Sequence, residues 1–276
     1  MAVIAMTREM ATLGKDVAAG LAERLNLDIV HHELVEHGVA ERAGVRESEV
    51  HRFLEGEASL LERWRIDQKR LSRYTAEEIL QLAVKGNVLI RGWGATYLLR
   101  SVPHVICVRI CAPMSFREHV LMQRLGITEA TVARREITRN DVAHSRAMQS
   151  TIGIDWTDPT LYAIVLNTSM VPVHDCVEQL VGLAASAAFQ ETPQSQAALL
   201  DALILSRVRA ALDQRYGSNV VTVGGIDASV SSGKVCLTGA TSDERVIVEA
   251  IRLVQTVEGV KGVESKITHI AFRPSM

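Results

Sequence analysis

"TREMATLGKDVAAG", residues 7–20, directly follows the short apolar run Ala2–Met6. The run reads as a strand, the stretch behind it as a tight loop, and Gly14 onward as a helix. In that layout backbone amides and the helix dipole receive an anion such as phosphate. The loop usually found there reads G-x-x-x-x-G-K-[ST]. Gly14 and Lys15 match its end, whereas Glu9 stands at the first glycine and Asp16 at the hydroxyl position. A Lys beside the last Gly can meet the β- and γ-phosphates as a point charge. Asp16 cannot replace a metal-binding hydroxyl and adds negative charge near phosphate, although an Asp suits a helix N-terminus. Ala11 and Leu13 occupy places where glycine is common, which makes close backbone approach to phosphate harder.

Working outward, a strand near Leu27–Val30 follows the first helix (about Gly14 to Leu25), then helical, charged sequence from about Glu33 to Tyr74. Thr75 reads as the cap of "AEEILQLAVKG", a helix with i, i+3, i+4 apolar spacing that Gly86 stops. "NVLIRG" and "HVICVRICA" are β-branched apolar runs, each leading into a helix, as buried parallel strands do. "AIVLNTS" supplies another strand and "VHDCVEQLVGLAASAAF" a closing helix. The alternation predicts an α/β fold, one doubly wound parallel sheet with helices on both faces, over roughly residues 1–189. "QETPQSQ" is polar, contains Pro193 and separates two patterns, so residues 190–197 read as a linker. Beyond it, 198–276 reads as a small α+β module: a helix (about Ala198–Asp213), two strands, a helix (about Asp243–Val257) and a last strand.

The totals narrow the function classes. A chain of 276 residues can bury two cores, and 47% apolar with 22% charged residues suits a globular protein. A formal net charge of −2 argues against general affinity for nucleic acid or anionic lipid. Neither a secretory leader nor an apolar stretch of about 20 residues is legible. Cys107, Cys111, Cys176 and Cys236 show no C-x-x-C spacing, and a reduced, cytoplasmic setting is the expectation.

Residues 7–35, "LAVKGNVLIRGWGATYLL", "VRICAPMSFREHVLMQRLGI" and "DVAHSRAMQSTIGIDWTDPTLYAIVLNTS" together resemble the cytidylate kinase-like family. The last block carries, in the family's order, Asp141, Arg146, Gly153, Asp155, Trp156, Asp158, Pro159, Tyr162 and Asn167-Thr168-Ser169. The resemblance spans nearly all of residues 1–185. It implies a P-loop NTPase-type three-layer fold and phosphoryl transfer from ATP, with Mg²⁺, to a nucleoside monophosphate, CMP or dCMP. It further implies that Thr12, Leu13, Gly14, Lys15 and Asp16 cradle the donor and that Lys15, Arg139 and Arg146 neutralise the transferring group. Arg135, Arg139 and Arg146 would fall within about 40° of one face of an unbroken helix. The plainer alternative is a solvated face with Glu136 and Asp141 as partners.

The acceptor side departs from the family. His31 stands where members usually carry Asp, and Trp93, between Gly92 and Gly94, where they usually carry Arg. The second exchange removes a bidentate phosphate donor and offers a stacking surface. Arg91 is near, with its side chain expected to leave the strand on the other face. His31, Arg91, Trp93, Asp155 and Asp158 are therefore the candidate acceptor residues. Asp155 and Asp158 also read as turn-fixing carboxylates in "IDWTDPT", with Trp156 as anchor. "HHELVEH" does not make a metal site, since His32 and His37 stand about 140° apart on a helix; no metal ligand set is expected.

"VSSGKVCLTGATSDERVIVEAIRLVQTVEGVKGVESKI" resembles the BON domain through Val230, Gly233, Val235, Leu237, Gly239, Gly259, Val260 and Val263. Val235 and Leu237 would face a helix stripe of Val246, Ile247, Ala250, Ile251 and Val254. The module holds nothing that does chemistry. It reads as a protein-interaction or self-association element, with membrane contact as the weaker reading. Three functions remain open on sequence: a nucleoside monophosphate kinase, a catalytically degenerate nucleotide-binding protein that signals through the BON-like module, and a kinase for another acceptor.

Overall fold

The computed structural model describes residues 1–30, 32–54, 68–92, 94–216 and 225–270. His31 and Trp93 lie outside them. The first layer set runs β1 (Val3–Arg8), α1 (Gly14–Leu25), β2 (Asp28–Val30), α2 (His32–Ala43), α3 (Glu47–Leu54), α4 (Gln68–Lys85), β3 (Val88–Arg91) and α5 (Ala95–Leu99). It continues through β4 (Val105–Cys111), α6 (Met114–Leu125), α7 (Ala130–Ile152), β5 (Ile164–Asn167) and α8 (Val173–Ala185). The five strands form one parallel sheet in the order β2-β3-β1-β4-β5. This is the P-loop type of three-layer α/β fold, as the sequence predicts.

The strands read as unbroken apolar runs because both faces are covered. Val3 and Ala5 join the core under α2, α4 and α5, while Ile4 and Met6 join the one under α1 and α8. β1 is central, so its following loop opens at the carboxyl edge of the sheet, where the chain order reverses and open α/β sheets bind ligands. β3 alternates likewise: Ile90 faces the first core and Leu89 the second, which puts Arg91 on the α1 side.

Two boundaries differ from the sequence reading. Thr75 does not cap a helix. Helix α4 begins at Gln68 and runs through Thr75, whose buried hydroxyl donates to the carbonyl of Leu71 at 2.9 Å. A Thr four residues past a carbonyl satisfies itself inside a helix as readily as at its start. The later helix, α9, begins at Pro193 and runs to Tyr216 without a break. Pro at a first helical position forfeits only an amide that has no partner there.

Helix α9 belongs to two cores. Leu199 and Leu203 pack with the first domain, and Ile204, Val208 and Leu212 with the C-terminal one. Arg73 of α4 pairs with Asp213, and Arg207 reaches Glu77 at 3.4 Å. The second sheet holds β6 (Asp227–Ser231), β7 (Lys234–Thr241) and β8 (Gly262–His269) in that order, β6 antiparallel and β8 parallel to β7. Helix α10 (Glu244–Gln255) makes the crossover. Val235 and Leu237 are buried against Ala250 and Val254 as expected, with Val246 and Ile251 at the margin and Ile247 outside the cluster. No helix among the described residues is long and apolar enough to cross a membrane.

Candidate functional site

Between β1 and α1 the backbone turns left-handed at alternate residues, Ala11 (φ 60°) and Leu13 (φ 57°). For residues with a Cβ this costs about 1–2 kcal/mol each, so the surroundings must hold the loop in place. They do so through its carbonyls. Met10 O accepts from Arg117 Nε at 2.7 Å and Thr12 O from Thr168 Oγ1 at 2.6 Å. Glu9 O accepts from Thr12 Oγ1 at 2.8 Å, and Leu13 O from the amides of Asp16 and Val17. The amides of residues 10 to 15, by contrast, find no acceptor among the described residues. Carbonyls that are tied and neighbouring N–H groups that are left over, at a helix N-terminus, suit an anion.

Gly14 is required by a close approach. A Cβ there would stand 2.9 Å from Cβ and Cδ of Arg8. The same packing brings Arg8 close to Lys15. The Lys15 ammonium is held below the usual lysine range, first by the Arg8 charge, then by partial burial and by Arg124 and Arg91. Asp16 opposes the shift least. Arg8, Arg124 and Arg91 thus lie close enough to Lys15 for their charges to act on it. Lys15 and Arg124 make no ion pair among the described residues.

Beneath the loop lies a buried ionic lattice. Glu9 accepts from Arg109 Nη2 at 2.5 Å and from the amide of Ala112 at 3.2 Å, with Arg117 Nη1 at 3.5 Å. Arg117 is 4% exposed and forks onto both carboxylate oxygens of Asp141, at 2.9 and 2.7 Å. Buried charges persist only when paired and bonded in this way. Glu9, read from sequence as a missing glycine, is therefore the loop's anchor. Asp141, read as a partner of the arginine stripe, turns inward to Arg117.

The arginine stripe itself does not cover the loop. Helix α7 is unbroken, so Arg135, Arg139 and Arg146 do share a face, but Ala133 and Ile137 pack on Ala11 and Leu121 from the other side. At 100° per residue Arg139 and Arg146 stand about 180° from Ile137. All three arginines are exposed, and Arg139 pairs with Glu136 at 3.0 Å. Bringing them over the loop would take half a turn of α7 about its axis. The loop-facing side carries His144 instead, whose imidazole burial pushes down to about 4, so that it is neutral.

Asp155 and Asp158 each close a local turn. Asp155 Oδ1 accepts from the amide and hydroxyl of Thr157, and Asp158 Oδ1 from those of Thr160. These bonds hold both carboxyls below the ordinary range. The turn seats Trp156, buried to 4% exposure, with its indole N–H on Ser145 Oγ at 2.9 Å and the Arg109 guanidinium 5.3 Å from its ring centre. Sequence reasoning assigned no role to Arg8, Arg124, Arg117, Arg109 or Thr168. Each lies within a stretch that carried the family resemblance, yet nothing in the linear pattern joins them.

Comparison with known proteins places this geometry. The model of the Cytidylate kinase-like family matches residues 3–170, and that of the BON domain matches residues 201–270. The chain is 25% identical over 177 residues to a cytidylate kinase of Pyrobaculum aerophilum, covering 64% of this chain and 89% of that protein. A solved structure of an uncharacterized protein from Eubacterium ventriosum aligns with a TM-score of 0.53 at 19% identity, over 66% of this chain and 97% of its own. A shikimate kinase of Bacteroides thetaiotaomicron aligns with a TM-score of 0.40 at 16% identity, over 66% and 97%.

Proposed function

Because the chain belongs to the cytidylate kinase-like family, with a BON domain at its C-terminal end, we propose that it transfers a phosphoryl group from ATP to a nucleoside monophosphate, CMP or dCMP. Family membership supports nucleotide phosphoryl transfer in general. One observation carries the reading: the amides of residues 10 to 15 find no acceptor among the described residues, beside the positive charges of Lys15, Arg8, Arg91 and Arg124. That receptor fits a triphosphate. Thr12, Leu13, Gly14, Lys15 and Asp16 would surround it, with Lys15 neutralising charge as it shifts between phosphates. Mg²⁺ would accompany ATP and offset the charge of its phosphates. The acceptor would lie on the side of Gly92.

Coupled-assay turnover of CMP, dCMP and UMP with MgATP is the test. Turnover of CMP or dCMP above UMP is the expected result. Absence of turnover with every monophosphate, while MgATP still raises the melting temperature, would leave a nucleotide-binding protein in place of the enzyme. Helix α9 favours that second reading to this extent: it joins the nucleotide domain to the BON module without a flexible joint.

A further inference from the structure

Two helices flank the phosphate loop, α6 and α7, and two ion pairs join them. Arg134, its side chain 64% exposed, reaches in from the surface to the buried Glu118. Arg117 pairs with Asp141 in the interior. Only the second also touches the loop, because the guanidinium that forks onto Asp141 also gives its Nε–H to the carbonyl of Met10. We infer that Arg117 is a positioning residue, which ties the register of α7 to the curl of the phosphate loop and so keeps the amides after Met10 aimed at the ligand.

Three of its N–H groups have fixed acceptors, two on Asp141 and one on Met10. A guanidinium is planar and donates in fixed directions, so Asp141 sets the plane of the fork and the plane sets where Nε points. Met10 O can then be held outward only while Asp141 stands in its present place. Ala11 follows at φ 60°, a conformation its Cβ disfavours, and Ala11 packs on Ala133 and Ile137 of the same helix. Loop and helix α7 are thereby fastened at two points, one polar and one apolar. Glu9, beside the fork, balances the guanidinium charge and takes Arg109 on its other oxygen. Lysine in place of Arg117 keeps the charge but cannot give two N–H groups to Asp141 and a third to Met10 in one plane.

The inference rests on the proposed polyphosphate receptor, and inorganic pyrophosphate probes it without reference to any acceptor. Calorimetry on the full chain at 15 °C would compare the parent with Arg117→Lys, the near-isosteric Asp141→Asn, and the double variant. Arg134→Gln serves as the control that loosens the same two helices away from the loop. Each single variant is expected to bind pyrophosphate at least fivefold more weakly, and the double variant no more weakly than the worse of the two, since both remove one link. Arg134→Gln is expected to bind like the parent even where its melting temperature falls. Parent-like affinity in Arg117→Lys and Asp141→Asn, or an equal loss in Arg134→Gln, would overturn the inference alone. No heat from the parent itself would overturn the receptor and the inference with it.

Discussion

Two of the places where the chain curls into positive φ differ in how their amides are used. At the β6–β7 turn, Ser232 (φ 51°) and Gly233 (φ 79°) both donate to the carboxylate of Asp201, at 2.7 and 2.8 Å. The protein closes that concavity with its own anion. At residues 10 to 15 the same kind of backbone has its carbonyls tied down and its amides left open, with cations around them where the turn has a carboxylate. A curl closed from within is a joint; one left open at a helix N-terminus, ringed by positive charge, is a receptor. Asp201 comes from α9, so the closed curl is also what fastens the C-terminal hairpin to the helix it shares with the first domain.

Substitutions at either curl break or sharpen this contrast. The largest effect belongs to Lys15→Ala, expected to lower phosphoryl transfer about a hundredfold while the thermal melt stays where it was. A variant that binds MgATP and turns over like the parent would put the open curl in the same class as the closed one. Next comes Asp201→Ala, which strips two amides of a charged acceptor and should cost about 2 kcal/mol in urea unfolding, with pyrophosphate affinity unaltered. A loss of affinity there would mean that the two curls are not independent. The smallest is Leu13→Gly. Relief of about 1–2 kcal/mol of left-handed strain outweighs the chain entropy glycine adds, for a net gain near 0.5 kcal/mol. Tighter pyrophosphate binding should accompany it, because the backbone can then approach closer; destabilisation would show that the Leu13 side chain, and not the curl, matters there.

How much of this was legible depended on distance along the chain. Central strands announce themselves locally: Val3–Met6, "NVLI" and "HVICVRI" are apolar at successive positions because two layers cover them. Gly14 at the head of α1 and Gly86 (φ 72°) at the foot of α4 were readable for the same local reason. Thr75 was misread because its hydroxyl serves a carbonyl four residues back as well as it would serve a cap. The site was legible only as to its loop. Glu9, Arg117 and Asp141 are more than a hundred residues apart from end to end, and spacing cannot reveal that one guanidinium joins them. Helical periodicity did group Arg135, Arg139 and Arg146 correctly on one face, but a wheel does not say which face looks inward; Ala133 and Ile137 decide that by packing on Ala11.

Helix α9 has a consequence for how such a chain can be rearranged. The stretches matched by the two family models stop at residue 170 and resume at residue 201, and the interval between looks like a seam for recombination. Yet Leu199 and Leu203 are among the packing residues of the first domain, and Arg73 of that domain clasps Asp213 far down the same helix. A protein cut at the seam would lose part of its own interior along with its appendage. Any replacement tail would have to arrive with a helix already shaped to α4.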